Sequence, residues 1–196
     1  RQDARRFAPA ASQVIDSFRE SDALKNFDIL AKAYQLRRTW KLDPALMRRL
    51  DRTYGPIDWT DPNRHLPLDW RHPDCHAIYW AVKGLEIAAA QKDEQITIHE
   101  TNTDRIVAHS LQSLFRNGKI FIHDVPIQVS GENSSELAQV QVFKEVYVRP
   151  DLRMFEPYDN AILKIIEKYK AVGDEGAVST LQNGHRNMLR NALLSF

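Results

Sequence analysis

Pro67-Leu68-Asp69-Trp70-Arg71-His72-Pro73-Asp74-Cys75-His76-Ala77-Ile78-Tyr79-Trp80-Ala81 is the stretch on which the reading of this chain turns. It repeats an earlier one. Eleven residues upstream stands Pro56-Ile57-Asp58-Trp59-Thr60-Asp61-Pro62-Asn63-Arg64-His65, with Pro, Asp, Trp, Pro and His in register. The second copy runs directly into an apolar segment with Pro73 at a first helical position, where its missing N–H costs nothing. That predicts a helix reaching about Ala90, with Ala77, Ala81, Gly84 and Ala88 on one stripe and Ile78, Trp80 and Leu85 beside it. Small residues on one stripe let a second helix approach closely, and a glycine inside a helix suggests a packing reason at Gly84.

Upstream of the repeat the apolar period is helical. Ala11, Val14, Ile15 and Phe18 mark a helix from Pro9 to near Glu20. Ser21-Asp22 is the next cap signal, opening a helix with Leu24, Phe27, Leu30, Ala31 and Tyr34 on its packing face. Asp43-Pro44 starts a third, with Leu46, Met47, Leu50 and Tyr54 inward, and Gly55-Pro56 stops it. Arg37, Arg38, Arg48 and Arg49 form a basic face on these two helices that could meet phosphates.

Downstream, Thr97-Ile98-His99-Glu100 has the capping-box pattern, and Ile106, Val107, Leu111, Leu114 and Phe115 continue as a helical stripe to Asn117-Gly118. From Lys119 the period changes to two: Ile120 and Ile122, Ile127 and Val129, then Val140, Val142, Val146 and Val148 read as strands around a turn-rich Ser130–Ser135, where Asn133-Ser134-Ser135 matches a glycosylation sequon. Glu156-Pro157 restarts a helix with Tyr158, Ala161, Ile162, Ile165 and Tyr169 on one face. Asp174 opens the last segment, which Asn183-Gly184 should interrupt.

The fold expected is mainly α: seven or eight helices in antiparallel pairs, superhelix-like or an irregular bundle, with a small antiparallel β-hairpin inserted around 119–148. At 196 residues, one helical domain spanning 1–196 is the expectation. The chain begins without Met and stops inside an apolar helical pattern, which reads as a processed or anchored product and a piece of a longer chain; the compartment stays open. One cysteine rules out an internal disulfide framework and a multi-cysteine metal site. The net charge of +1 covers a basic front, with twelve Lys/Arg against seven Asp/Glu in residues 1–56. That asymmetry falls short of a nucleic-acid footprint, so nucleic-acid binding through the basic face ranks last.

The repeat concentrates chemistry. His65, Asp69, His72 and His76 form an imidazole and carboxylate set that would suit zinc or another first-row metal, and such a site with an open position could activate water. Trp59, Trp70, Tyr79 and Trp80 could instead line a pocket for a partner. The alternative is architectural: proline fixes the backbone, Asp accepts from nearby N–H groups and Trp covers the core. Cys75, near a helix start with His72 and His76 close by, could be an activated thiol. There is no Gly-rich phosphate loop and no Gly-x-Ser-x-Gly elbow.

Successive antiparallel helices with small residues on their packing stripe, across 22–117 and 157–196, resemble tetratricopeptide-like helical-hairpin repeats. Trp80 with Gly84-Leu85 is the nearest counterpart of the family's signature, with the Gly-Leu pair in reversed order. The resemblance implies an architecture of stacked helix pairs that presents a groove to a protein partner. The leading expectation is therefore a non-catalytic protein-interaction or scaffold module that requires no cofactor; a metal-dependent enzyme is the alternative.

Overall fold

A computed structural model describes residues 8–18, 20–90, 98–129 and 139–195. These hold seven α-helices, two two-stranded antiparallel sheets and one 3₁₀ turn, in two compact units of residues 1–48 and 49–196. The Thr97 cap and the sequon lie outside the described residues, as do the side chains of Ile98 and His99.

The first unit contains α1 (Pro9–Ser17), α2 (Asp22–Arg38) and the opening of α3 (Pro44–Tyr54). Ser21 caps α2, its hydroxyl accepting from the Leu24 N–H at 3.3 Å. Among the described residues the expected packing face of α2 is not covered: no residue of this helix is buried, and Phe27, Leu30 and Tyr34 are all exposed. The reason is visible in its periodicity. Ile29 and Leu36 fall on the side of the helix opposite Phe27 and Leu30, so no single stripe collects the apolar area. Asp43 accepts from the Ala45 N–H at 3.1 Å where α3 begins, and Leu46, Met47 and Leu50 are buried along it.

The second unit opens at the end of α3. The first Pro-x-Asp-Trp copy forms β1 (Ile57–Asp58), which pairs antiparallel with β2 (Asp61–His65). The second copy leads into α4 (Pro73–Ala90), as Pro73 requires. Helix α4 packs on α5 (Ile98–Asn117); α6 (Phe155–Ala171) packs on both α5 and α7 (Glu175–Leu193). The core gathers Ile78 and Tyr79 of α4, Leu111, Leu114 and Phe115 of α5, Ile162 and Tyr169 of α6, and Leu181 and Met188 of α7. Buried Asp104 crosses between helices, accepting from the Tyr169 hydroxyl at 2.6 Å and from Lys168 Nζ at 2.7 Å. Burial and that carboxylate push the Tyr169 phenol well above its usual range, so it stays a donor.

The hairpin falls where the alternating residues put it. Strand β3 (Lys119–Val129) pairs with β4 (Gln139–Arg149) through eleven successive residue pairs, from Lys119↔Arg149 to Val129↔Gln139. Asp174 caps α7 as read, but Asn183-Gly184 does not interrupt it: the helix runs through both, because a lone glycine costs only about 1 kcal/mol.

Two glycines separate cleanly. A Cβ on Gly55 would lie 2.0 Å from the Leu66 carbonyl oxygen and 2.3 Å from that of Asp51, whereas a Cβ on Gly84 would meet nothing within 4 Å. Among the described residues the packing role expected of Gly84 is therefore absent, and the close approach is at Gly55. Gly55→Ala should destabilise by about 3 kcal/mol through overpacking against backbone. Gly84→Ala should stabilise by about 0.5–1 kcal/mol through helix propensity, both read from urea melts.

Candidate functional site

Asp51, on the last turns of α3, organises the repeat. Its Oδ1 accepts from the Leu68 N–H and from Trp70 Nε1, each at 3.0 Å. The two motif aspartates play one role twice. Asp58 accepts from the Thr60 N–H at 3.0 Å and Asp69 from the Arg71 N–H at 3.1 Å, each closing the turn after its tryptophan. The residue between Pro and Asp, Ile57 in one copy and Leu68 in the other, is buried.

The four proposed metal ligands do not converge. Nδ1 of His65 is 2.8 Å from the Gly55 carbonyl oxygen and Nε2 of His76 is 2.8 Å from that of Trp70, so each ring donates one N–H to backbone. His72 is buried and its Nδ1 accepts from the Asp74 N–H at 3.2 Å, making it the cap of α4. Asp69 is held by Arg71, whose Nε lies at 2.8 Å. Among the described residues no three His, Cys, Asp or Glu side chains form a group able to hold a metal ion. Two rings committed to carbonyls, one to a backbone amide and a carboxylate committed to Arg71 are the physical reason this set scatters.

The aromatic set divides. Trp70 meets Tyr79 and His76 edge-on; Tyr79 is fully buried in the core, and Trp70 stands half-buried beside it. Trp59 and Trp80 reach solvent, Trp80 with Lys83 Nζ 5.0 Å from its ring centroid. Cys75 is wholly buried, and burial with Asp69, Asp74 and Asp51 around it pushes its thiol up to about 12. That is opposite to the activation a helix start would provide, and the thiol stays protonated at neutral pH. On the basic face, Arg49 is tied to Glu86 at 2.6 Å, Arg37 lies 3.8 Å from Asp43, and Arg38 lies over the Tyr34 ring. Arg48 is exposed.

The repeat does border an open pocket, of about 370 Å³, lined also by the end of α5, the base of β3 and the 3₁₀ turn Leu152–Met154. Pro56, Pro67, Ile120 and Phe121 give it apolar walls. Its acids are neutralised from within: buried Asp151 takes Arg153 in a two-pronged bond at 2.8 and 2.7 Å, and Asp69 takes Arg71. An apolar side chain suits such a space better than an ion does. A second, helix-lined cavity of about 120 Å³ lies between Tyr54, Leu85, Asp104 and Ile165, a volume for a side chain.

The hairpin carries what the sequence reading passed over. Phe121, Ile122, Val142, Phe143, Val146, Tyr147 and Val148 are all exposed, with aliphatic residues on one face and aromatic ones on the other. The usable signal was Pro126, a residue without an N–H inside an alternating strand.

Asp51 and Asp69 titrate with opposite sign. Burial raises Asp51 above 3.8 despite its two hydrogen bonds, so its contribution to stability is full below 3.8 and is lost as pH rises through the raised folded value. Hydrogen bonds from Arg71 lower Asp69, so its contribution is present above 3.8 and is lost as pH falls through the lower folded value. Asp51→Ala should cost about 2 kcal/mol at pH 7 by orphaning two donors, and Asp51→Asn less, since an acceptor remains without the buried charge. Asp69→Asn should flatten the fall of the urea midpoint on acidification below about pH 4. No protein-family model matches the chain, and no curated protein or solved structure matches it either.

Proposed function

We propose that this chain is a non-catalytic protein-interaction module, with its helix pairs as the frame and the β3–β4 ribbon as the element that meets the partner. The observation that carries this reading is the apolar ribbon in water. Two strands alone are marginal, and a soluble monomer seldom exposes a contiguous apolar patch of this kind without a use for it. Val142 and Val146 are each 61 % exposed on the aliphatic face, and Phe143 and Tyr147 are half exposed on the other. The chemistry around the repeat supports the same reading: its histidines hold backbone, its cysteine is buried and protonated, and its carboxylates are paired. The stacked-pair resemblance to tetratricopeptide-like proteins is consistent with a scaffold role.

The test is a photo-activated cross-linker placed at Val146 and, as a control, at Lys170 on α6, in cells that make the protein. A discrete protein adduct from Val146 and none from Lys170 is expected; no adduct, or the same from both, overturns the reading. The ribbon faces should also tolerate charge. Val142→Glu with Val146→Glu should melt within about 3 °C of the parent, as surface substitutions do, while removing the adduct formed by a cross-linker at Phe143.

A further inference from the structure

Strand β4 has a chemically open edge, and the register of the ribbon says which backbone groups form it. In an antiparallel ladder, pairs that exchange two N–H···O bonds alternate with pairs that exchange none, so alternate residues turn their N–H and C=O outward. Pro126 pairs with Val142 and has no N–H to give. Its pair therefore belongs to the set that exchanges no bonds. The bonded pairs are then Phe121↔Tyr147, His123↔Glu145 and Val125↔Phe143, and the outward residues are Ile120, Ile122, Asp124 and Pro126 on β3 and Val142, Lys144, Val146 and Val148 on β4. The two edges thus differ. On β3 a proline sits on the outer edge, the usual device that blocks strand addition. On β4 four successive outward residues can each offer a donor and an acceptor, and among the described residues none of them has a backbone bond beyond the ladder.

Resting on the interaction reading above, we infer that β4 binds its partner by strand addition: an extended segment of a partner protein pairs along Val142, Lys144, Val146 and Val148. Unpaired backbone in a pleated geometry is satisfied by another extended backbone, and the apolar side chains flanking it on both faces then gain neighbours. Charge argues against a second copy as that strand. A two-fold axis relating two β4 strands must set one residue opposite itself. The register of longest overlap, in which all 11 residues pair, opposes Lys144 to Lys144, and like charges directly opposite destabilise a sheet. A partner strand with a carboxylate opposite Lys144 meets no such conflict, although Lys144 already holds Asp124 at 2.8 Å on the ribbon side.

Amide exchange followed by NMR on the purified chain tests the edge, with a synthetic nonapeptide of alternating Thr and Val and a central Asp as the probe. In the free protein the amides of Phe143, Glu145 and Tyr147 should be protected and those of Val142, Lys144, Val146 and Val148 should not. Saturating peptide should slow the second set at least about tenfold, one hydrogen bond's worth. Protection of the second set without peptide, or no slowing with it, overturns the inference. In cells, Lys144→Pro removes one outward donor and should cut the Val146 adduct at least about tenfold, while Lys144→Ala should not. A Val146 adduct that survives Lys144→Pro overturns strand addition and leaves the interaction module standing, whereas no adduct in the parent removes the module reading itself. A dimer in sedimentation that Lys144→Pro dissociates also overturns the inference, since the edge would then serve self-pairing. If Lys144→Pro melts the hairpin, the exchange measurement on the parent chain decides.

Discussion

One carboxylate oxygen, Oδ1 of Asp51, fastens the end of α3 to the start of α4, by accepting the Leu68 amide and the Trp70 indole together. Everything between those points is short and proline-rich, so it has little freedom once both ends are held. With Trp70 fixed, its ring stands edge-on to Tyr79 and its carbonyl meets His76, one turn into α4. The direction of α4, and with it the seat for α5, follows from that anchor. Gly55 belongs to the same constraint, because the chain leaves α3 pressed against the Leu66 backbone where no side chain fits.

The charges of this segment are spent on shape. Asp58 and Asp69 close turns, Asp151 holds Arg153 and the Asp151 N–H reaches the Phe115 carbonyl at 3.0 Å, tying the 3₁₀ turn to the end of α5. A net hydrogen bond of this kind contributes about 1 kcal/mol, but orphaning a buried partner costs more. Such a network therefore specifies one arrangement more than it stabilises the chain. It also leaves the ribbon, which among the described residues has almost no polar tie to the helices, as the element whose apolar area serves the fold itself least.

Much of this architecture was legible in the residues. Pro73, Asp43-Pro44 and Asp174 announce helix starts through their own chemistry, and the Tyr158–Tyr169 stripe is buried as its period requires. What escaped was set by partners distant in sequence. The metal-like grouping of His65, Asp69, His72 and His76 is dense along the chain, yet each ring finds a carbonyl or amide that linear spacing does not reveal. Asp51 drew no attention, because nothing within its own helix shows that it reaches an indole nineteen residues on. Gly84 and Gly184 misled in the opposite way, the first as a site of close packing and the second as a breaker, where the helices carry both without either effect. The uncovered face of α2 shows that helical spacing identifies a face and not its neighbour.

Cys75 gives the molecule a built-in reporter. Its sulfur is wholly buried in the first turn of α4, and its thiol is held near 12, so a folded chain keeps both the reagent and the reactive thiolate away. Alkylation must wait for the start of α4 to open, and under conditions of slow labelling its rate measures the free energy of that opening. As the only cysteine in the chain, it makes that reading specific to the joint between the repeat and α4 without any engineered label.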